Sequence, residues 1–498
     1  MIFGKHHPPG LRVLFFTEMW ERFSYYGMRA LLVLYLVNAI DYPREKALAL
    51  YATYTGLVYL SPLIGGYIAD KWLGTRRAVA IGAIVMALGH FAMAFPSLLI
   101  IGLGLLITGN GFFKPNISST VGALYADGDV RRDGGFTIFY MGINLGAFFS
   151  PLVCGTLGEK VGWHWGFAAA GIGMVVGLLI FVYGQNRLGY AGLPKGREAS
   201  GQTWLNKTDW QLIILISFCC LCAVVLAVNV WPWITLIWEK LNLMWQTFLI
   251  LFLVGLLVSF PKLADRIKFI LTGLPASNQV KVSLTKQEIH RIIAIMIMAI
   301  FVVFFWMGFE QAGGSMNLFA DKLTDRRLFG WEIPASYFQS INPLVIILFA
   351  PIFSLMWIRL DRSRFALSPI VKQALGMIIL GCGFVVLAIA QERADVLGKV
   401  GPIWLVTVYV LHTLGELCLS PIGLSMVSKL APSQLLSILM GIWFTAMALA
   451  NYLAGTLEEI LSGSGIPLYW FLVASSVGAG ILLLLISPLL HRLMHGVR

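Results

Sequence analysis

LRVLFFTEMWERFSYYGMRALLVLYLVN, residues 11–38, is a helix-length apolar run interrupted by Arg12, Glu18, Glu21, Arg22 and Arg29. About 20 predominantly apolar residues cross a ~30 Å hydrocarbon core, so the run is long enough to span one. With Glu18 set at zero and about 100° per residue, Glu21 falls near −60°, Arg22 near +40°, Tyr25 near −20° and Arg29 near +20°. The five residues share one face. Each ionisable side chain costs about 2.5–3.5 kcal/mol at the centre of a membrane helix, and lipid cannot solvate it. The spacing therefore predicts a membrane helix whose polar face lines a protein interior. Glu18 is shallow enough for an interfacial ion pair at the helix end to compete with that reading, whereas Arg29 is too deep.

The remainder of the chain has the same character. Of 498 residues 58% are hydrophobic and 12% charged, where a soluble domain carries roughly 25% charged residues. Apolar runs predict fourteen spans. Six lie at 11–38, 47–69, 77–96, 98–124, 136–158 and 164–185, two at 210–230 and 244–260, and six at 290–312, 334–358, 369–390, 402–425, 433–457 and 467–490. Trp231, Pro232 and Trp233 blur the turn of the middle pair. The expected fold is an all-α integral membrane protein in two six-helix halves, 1–185 and 290–498. Basic connectors and an extra helix pair, 186–289, join them. With the N-terminus inside, loops on that side hold 24 Lys and Arg against nine opposite. That bias places both termini in the cytoplasm. It also gives the net charge of +12 a topological cause, and no motif for nucleic acid accompanies it.

The six cysteines all lie in apolar runs, and Cys220-x-Cys222 lacks zinc-ligand spacing, so neither a metal nor a cofactor is expected. Met1 to Gly10 lacks the pattern of a cleaved signal, so the first span stays.

Seven strongly ionisable residues fall within spans: Glu18, Glu21, Arg22, Arg29, Lys114, Glu310 and Glu416. At ~1.5 Å per residue, Arg29 and Glu310 sit ~27 and ~30 Å from the inner ends of their helices. On the same scale Lys114 and Glu416 lie ~24 and ~21 Å below the outer ends of theirs. These helices are first and fourth in their halves. Two cross-half ion pairs follow, Arg29–Glu310 toward the outside and Lys114–Glu416 toward the inside. Contacts that break and form on opposite sides of a midplane site are what alternating access requires. Four acids against three bases leave at least one carboxylate short of a partner. Such a group can carry a proton, unless His412 or hydroxyls satisfy the surplus.

At these positions the chain resembles the proton-coupled oligopeptide transporter (POT) family of the major facilitator superfamily. The resemblance rests on Glu18-x-x-Glu21-Arg22-Phe23-x-Tyr25-Tyr26-Gly27, and on Gly65-Gly66-x-x-Ala69-Asp70-x-x-Leu73-Gly74 followed by Arg76 and Arg77. It also rests on Phe113-Lys114-Pro115-Asn116, Phe139-Tyr140-x-x-Ile143-Asn144-x-Gly146, and Gly415-Glu416 with Ser420-Pro421. It covers essentially the whole chain, and the extra helix pair is similar to that of prokaryotic members.

The resemblance implies uptake of di- and tripeptides driven by inward proton flow. It implies that Arg22 and Lys114 hold the peptide carboxylate, and that Asn144, Asn342 and Glu416 hold the amino group. Tyr26, Tyr59, Trp306, Trp443 and Phe444 would line side-chain pockets, and Glu18, Glu21, Glu310 and Lys114 would couple protons. Packing or an interfacial belt competes for the aromatics, and helix–helix hydrogen bonding for the two asparagines. For Asp70, Arg76 and Arg77 a conformational latch competes with plain inside-positive topology. Mammalian relatives carry a proton-linked histidine on the second helix; the span 47–69 has none, so coupling would rest on carboxylates. The implied setting is the lipid of a bacterial cell membrane, and a monomer is expected. Plant relatives carry nitrate, which makes a small anion the alternative cargo. The intact Glu18-x-x-Glu21-Arg22 motif and Glu416 argue against a pure anion. A membrane hydrolase is disfavoured, since neither His-Glu-x-x-His nor Gly-x-Ser-x-Gly occurs.

Overall fold

The computed structural model describes residues 7–126, 128–194, 201–240, 285–363, 367–432 and 435–496. Almost everything in them is helix. The first half holds α1 Gly10–Asn38, α2 Arg44–Ile68, α3 Thr75–Met93, α4 Leu99–Gly122, α5 Arg132–Thr156 and α6 Trp163–Gly184. Next comes α7 Lys207–Lys240. The second half holds α8 Lys286–Phe309, a short α9 Ser315–Lys322, α10 Ile341–Asp361, α11 Pro369–Leu397, α12 Ile403–Leu430, α13 Leu436–Leu461 and α14 Leu468–Met494. By contacts the chain divides into Met1–Leu221 with Lys286–Arg498, and a second unit Cys222–Thr285, of which α7 as far as Lys240 is described. The expected span 244–260 lies outside the described residues.

Among the described residues, eleven helices are long and apolar enough to cross a membrane. α1 is not among them because of its charges, yet most of its residues are buried. A helix too polar for lipid is therefore enclosed by the others, as the shared polar face requires. Boundaries follow local chemistry. Ser368 accepts the Val371 N–H at 3.3 Å ahead of Pro369, opening α11. The turn expected at Trp231–Trp233 is absent, because α7 continues through Pro232 to Lys240.

The two halves repeat one packing plan. In the first, α3 packs on α4 and α6, α1 on α5 and α6, and α2 on α4. In the second, α11 packs on α12 and α14, α8 on α13 and α14, and α10 on α12. Between the halves α2 packs on α13 and α5 on α10, so each contact mirrors the other. Small residues allow the closest crossings. A Cβ on Gly82 of α3 would fall 2.6 Å from the Gly109 carbonyl oxygen of α4, and one on Gly376 of α11 would fall 2.6 Å from the Gly415 carbonyl oxygen of α12. These are equivalent positions of the two halves.

Helix direction defines two faces, one carrying the start of α1 and the end of α14, the other opposite; we call them the termini face and the far face. Cross-half polar contacts gather toward the far face. Arg44 Nε at the start of α2 lies 2.7 Å from Glu458 Oε1 at the end of α13. Asn317 donates to the Ala30 carbonyl at 2.8 Å, and Lys322 to Asn38 Oδ1 at 2.7 Å. On the termini face, Arg76 is wholly buried and donates to the carbonyls of Gly189, Ala191 and Thr203 at 2.6 Å each. Its neighbour Arg77 pairs with Asp209. Both arginines thus bind the segment after α6, while Asp70 is exposed.

Candidate functional site

A cavity of about 180 Å³ lies between the halves. α1 supplies Tyr26 and Arg29, α2 Tyr59, and α5 Tyr140 and Asn144. From the second half come Trp306 and Glu310, Asn342 on α10, and Tyr409, His412, Thr413 and Glu416 on α12. Apolar filling comes from Ile143, Pro151, Phe309 and Ile346. The chamber therefore has aromatic walls with carboxylates and amides set into them.

Its far end is closed by charge. Arg29 Nη2 donates to Glu310 Oε2 at 2.5 Å, and Arg29 Nε donates to Tyr51 Oη at 2.7 Å. The helix breaks here: α8 ends at Phe309 and a 3-10 turn begins with Glu310. A Cβ on Gly313 in that turn would fall 1.8 Å from Tyr51 Oη, so the glycine admits the tyrosine to the pair. Sequence reasoning reached Arg29 and Glu310 from their depth. It missed Tyr51, whose place in an aromatic-rich helix carries no local signal.

The other charges of α1 form a group of their own. Arg22 donates Nη2 to Glu21 Oε1 at 2.6 Å and Nε to Glu21 Oε2, while Glu18 Oε1 lies 3.2 Å from the same Nε. Glu18 Oε2 is buried with no hydrogen-bond partner, so Glu18 is held by Arg22 through one oxygen only; the carboxylate left without a cation, as four acids and three bases imply, is Glu416. Glu18 is 2% exposed, so its ion pair with Arg22 is enclosed by protein. Neither Arg22, Glu18 nor Glu21 lines the cavity; Arg22 lies one turn before Tyr26, which does. Lys114 does not line the cavity either; its Nζ stands 5.0 Å from the centre of the ring of Tyr59, which does, a cation–π distance.

The expected Lys114–Glu416 pair is not formed. Glu416 Oε2 accepts from Asn342 Nδ2 at 2.8 Å, and Asn342 also donates to Thr413 Oγ1 at 3.0 Å. The physical reason is the arrangement of the halves. With the far face tied together, α4 packs on α2 and α3 and α12 on α10 and α11, and the two make no extensive contact. Nor does His412 satisfy Glu416: its Nε2 is unpartnered and its ring lies 4.5 Å from that of Phe384. An amide does the work assigned to it. Trp443 is buried and Phe444 partly so, both on α13, which packs on α2 and α8; neither is on the cavity wall. Tyr140, Gln339, Tyr409 and Thr413 are on it without having been anticipated. Among the described residues no His, Cys, Asp or Glu cluster could hold a metal.

Two mirrored helical bundles around a shared chamber define a polytopic membrane protein of the major facilitator fold. The sequence profile of the POT family matches residues 76–196 and 259–466, and the chain belongs to that family. It is 38% identical to the peptide transporter YePEPT of Yersinia enterocolitica, over 99% of this chain and 96% of that one. To a di-/tripeptide transporter of Lactococcus lactis subsp. cremoris it is 34% identical, over 99% and 97%. A crystal structure of a peptide transporter POT in complex with sulfate superposes with a TM-score of 0.79 at 36% identity, covering 99% of this chain and 97% of the other.

Proposed function

We propose that this protein takes up di- and tripeptides by proton-driven symport through alternating access. The observation that carries the reading is the cavity shared by both halves, closed on the far face by Arg29–Glu310 and holding the Glu416 carboxylate on the Asn342 amide. Its relatives' printed names, peptide transporter and di-/tripeptide transporter, point to the same cargo. A peptide is a zwitterion of fixed ends and variable middle. In this reading its carboxylate pairs with Arg22 and Lys114, and its amino group with Asn144, Asn342 and Glu416. Tyr26, Tyr59 and Trp306, on the chamber wall, receive the side chains. Charged ends set the length while aromatic walls tolerate the sequence.

The working units are the bundles 1–185 and 290–498, with 186–289 as a connector. The termini face is cytoplasmic, on the inside-positive bias, and the membrane is a bacterial cell membrane, with a monomer as the working unit. Glu18, Glu21, Glu310 and Lys114 carry the coupling. A proton on Glu310 removes the charge that holds Arg29 and frees the far face. Closure of the termini face then brings Lys114 to Glu416, a pair apart here because the far face is shut. A small anion alone would leave Glu416 facing no cation, which disfavours the nitrate reading. The test is uptake of labelled dialanine into vesicles holding the purified protein. Accumulation is expected with an inward proton gradient and is expected to collapse with a protonophore. Nitrate uptake without peptide uptake would replace this reading with the other.

A further inference from the structure

We propose that Glu159 is a second outer gate, a latch that holds the far face shut independently of Arg29–Glu310. The proposal rests on the alternating-access reading above. Glu159 lies in the turn Leu157–Val161 that ends α5. Its carboxylate reaches across to the other half. Oε2 accepts the Ala335 N–H at 2.7 Å, and Oε1 accepts the Ser336 N–H at 3.0 Å and the Ser336 hydroxyl at 2.6 Å. Three donors on one carboxylate, all from the opposing bundle, make a strong and directional contact, because hydrogen bonds to charged groups are roughly twice as strong as neutral ones.

A second observation is steric. A Cβ on Gly155, one turn earlier on α5, would fall 2.0 Å from Ser336 Oγ. The glycine leaves a notch, and the serine occupies it directly above the carboxylate. Thr156 Oγ1 meets Tyr337 Oη at 2.7 Å between them. The receiving segment is held ready by its own side. Pro334 is extended, at φ −52° and ψ 139°, and Arg326 donates to the Ile333 carbonyl at 2.6 Å. Arg326 Nη2 also pairs with Asp321 at 3.2 Å and Glu332 at 3.1 Å, and its Nη1 stands 3.9 Å from Glu159 Oε2. Arg29–Glu310 closes the α1–α8 seam, whereas this latch closes the seam between α5 and the segment leading into α10. Opening the far face requires both to part.

The experiment reads the conformational state without any substrate. Ala147, on the cavity wall, is changed to Cys in the full chain, and its alkylation by a membrane-impermeant maleimide is taken as the difference from the same chain with Ala147 kept. Right-side-out and inside-out vesicles are compared. Glu159→Ala, which removes all three bonds, and separately Gly155→Ala, which displaces the Ser336 hydroxyl, should each raise labelling from the far face at least about tenfold, the effect of losing a single charge-assisted bond. Labelling from the termini face should fall. Arg29→Ala is the reference for an open far face. A Glu159→Ala or Gly155→Ala chain that labels like the parent while Arg29→Ala labels faster would overturn the latch. So would faster labelling from both faces, which marks a loosened fold. Failure of the wild-type protein to take up peptide would sink the transport reading instead and leave the labelling result standing.

Discussion

Arg29 and Glu310 are buried in the part of the chain where an unpaired charge is most costly. Removing one partner of a buried pair typically costs about 3–5 kcal/mol, because the other is left without compensation. Arg29→Ala should therefore lower the thermal midpoint of the detergent-solubilised protein markedly. Arg29→Glu combined with Glu310→Arg should recover much of that loss; a double variant no more stable than the singles would count against direct pairing. Lys114 has a different environment, a tyrosine ring rather than a carboxylate in this state. Lys114→Ala should abolish gradient-driven uptake with little change in thermal midpoint, and uptake at the wild-type rate would remove Lys114 from the coupling. The charged residues were legible in the sequence because membrane burial makes a charge conspicuous. Their partners were legible only in part. Depth along a helix located Arg29 against Glu310, but depth carries no information about how far apart two helices stand. Lys114–Glu416 was placed by the same arithmetic and is apart here.

Helix–helix crossings depend on residues that carry no charge signal. Gly82 against Gly109 and Gly376 against Gly415 bring α3 to α4 and α11 to α12 by the same device. The added methyl of Gly82→Ala meets a backbone oxygen, so it should cost about 1–3 kcal/mol through overpacking. A thermal midpoint unchanged from wild type would show that the crossing has slack. Arg76→Lys is a second test. A guanidinium fork serves three carbonyls at once and an ammonium point charge serves them poorly. The variant should free the segment after α6 to limited proteolysis, whereas an unchanged digest would deny it that holding role. Helix existence and order were readable from apolar length. The continuation of α7 through Pro232, the break at Glu310 and the seat of Glu159 were not. They depend on what each segment packs against, and pattern along one helix does not report that.

For the whole molecule, two similar bundles share a chamber, and the contacts between them gather on one face. That asymmetry in a symmetric scaffold closes the chamber toward the far face, as the proposed alternating access requires of one state. The claim that it serves peptide and proton together is tested most directly by uptake into vesicles of a graded series of labelled substrates: a single amino acid, dialanine, trialanine and tetraalanine. Each is measured with an inward proton gradient and again with the gradient collapsed. Gradient-dependent accumulation of dialanine and trialanine is expected, with the amino acid and tetraalanine near the level of empty vesicles. Accumulation indifferent to the gradient, or none above empty vesicles for any peptide, would contradict it.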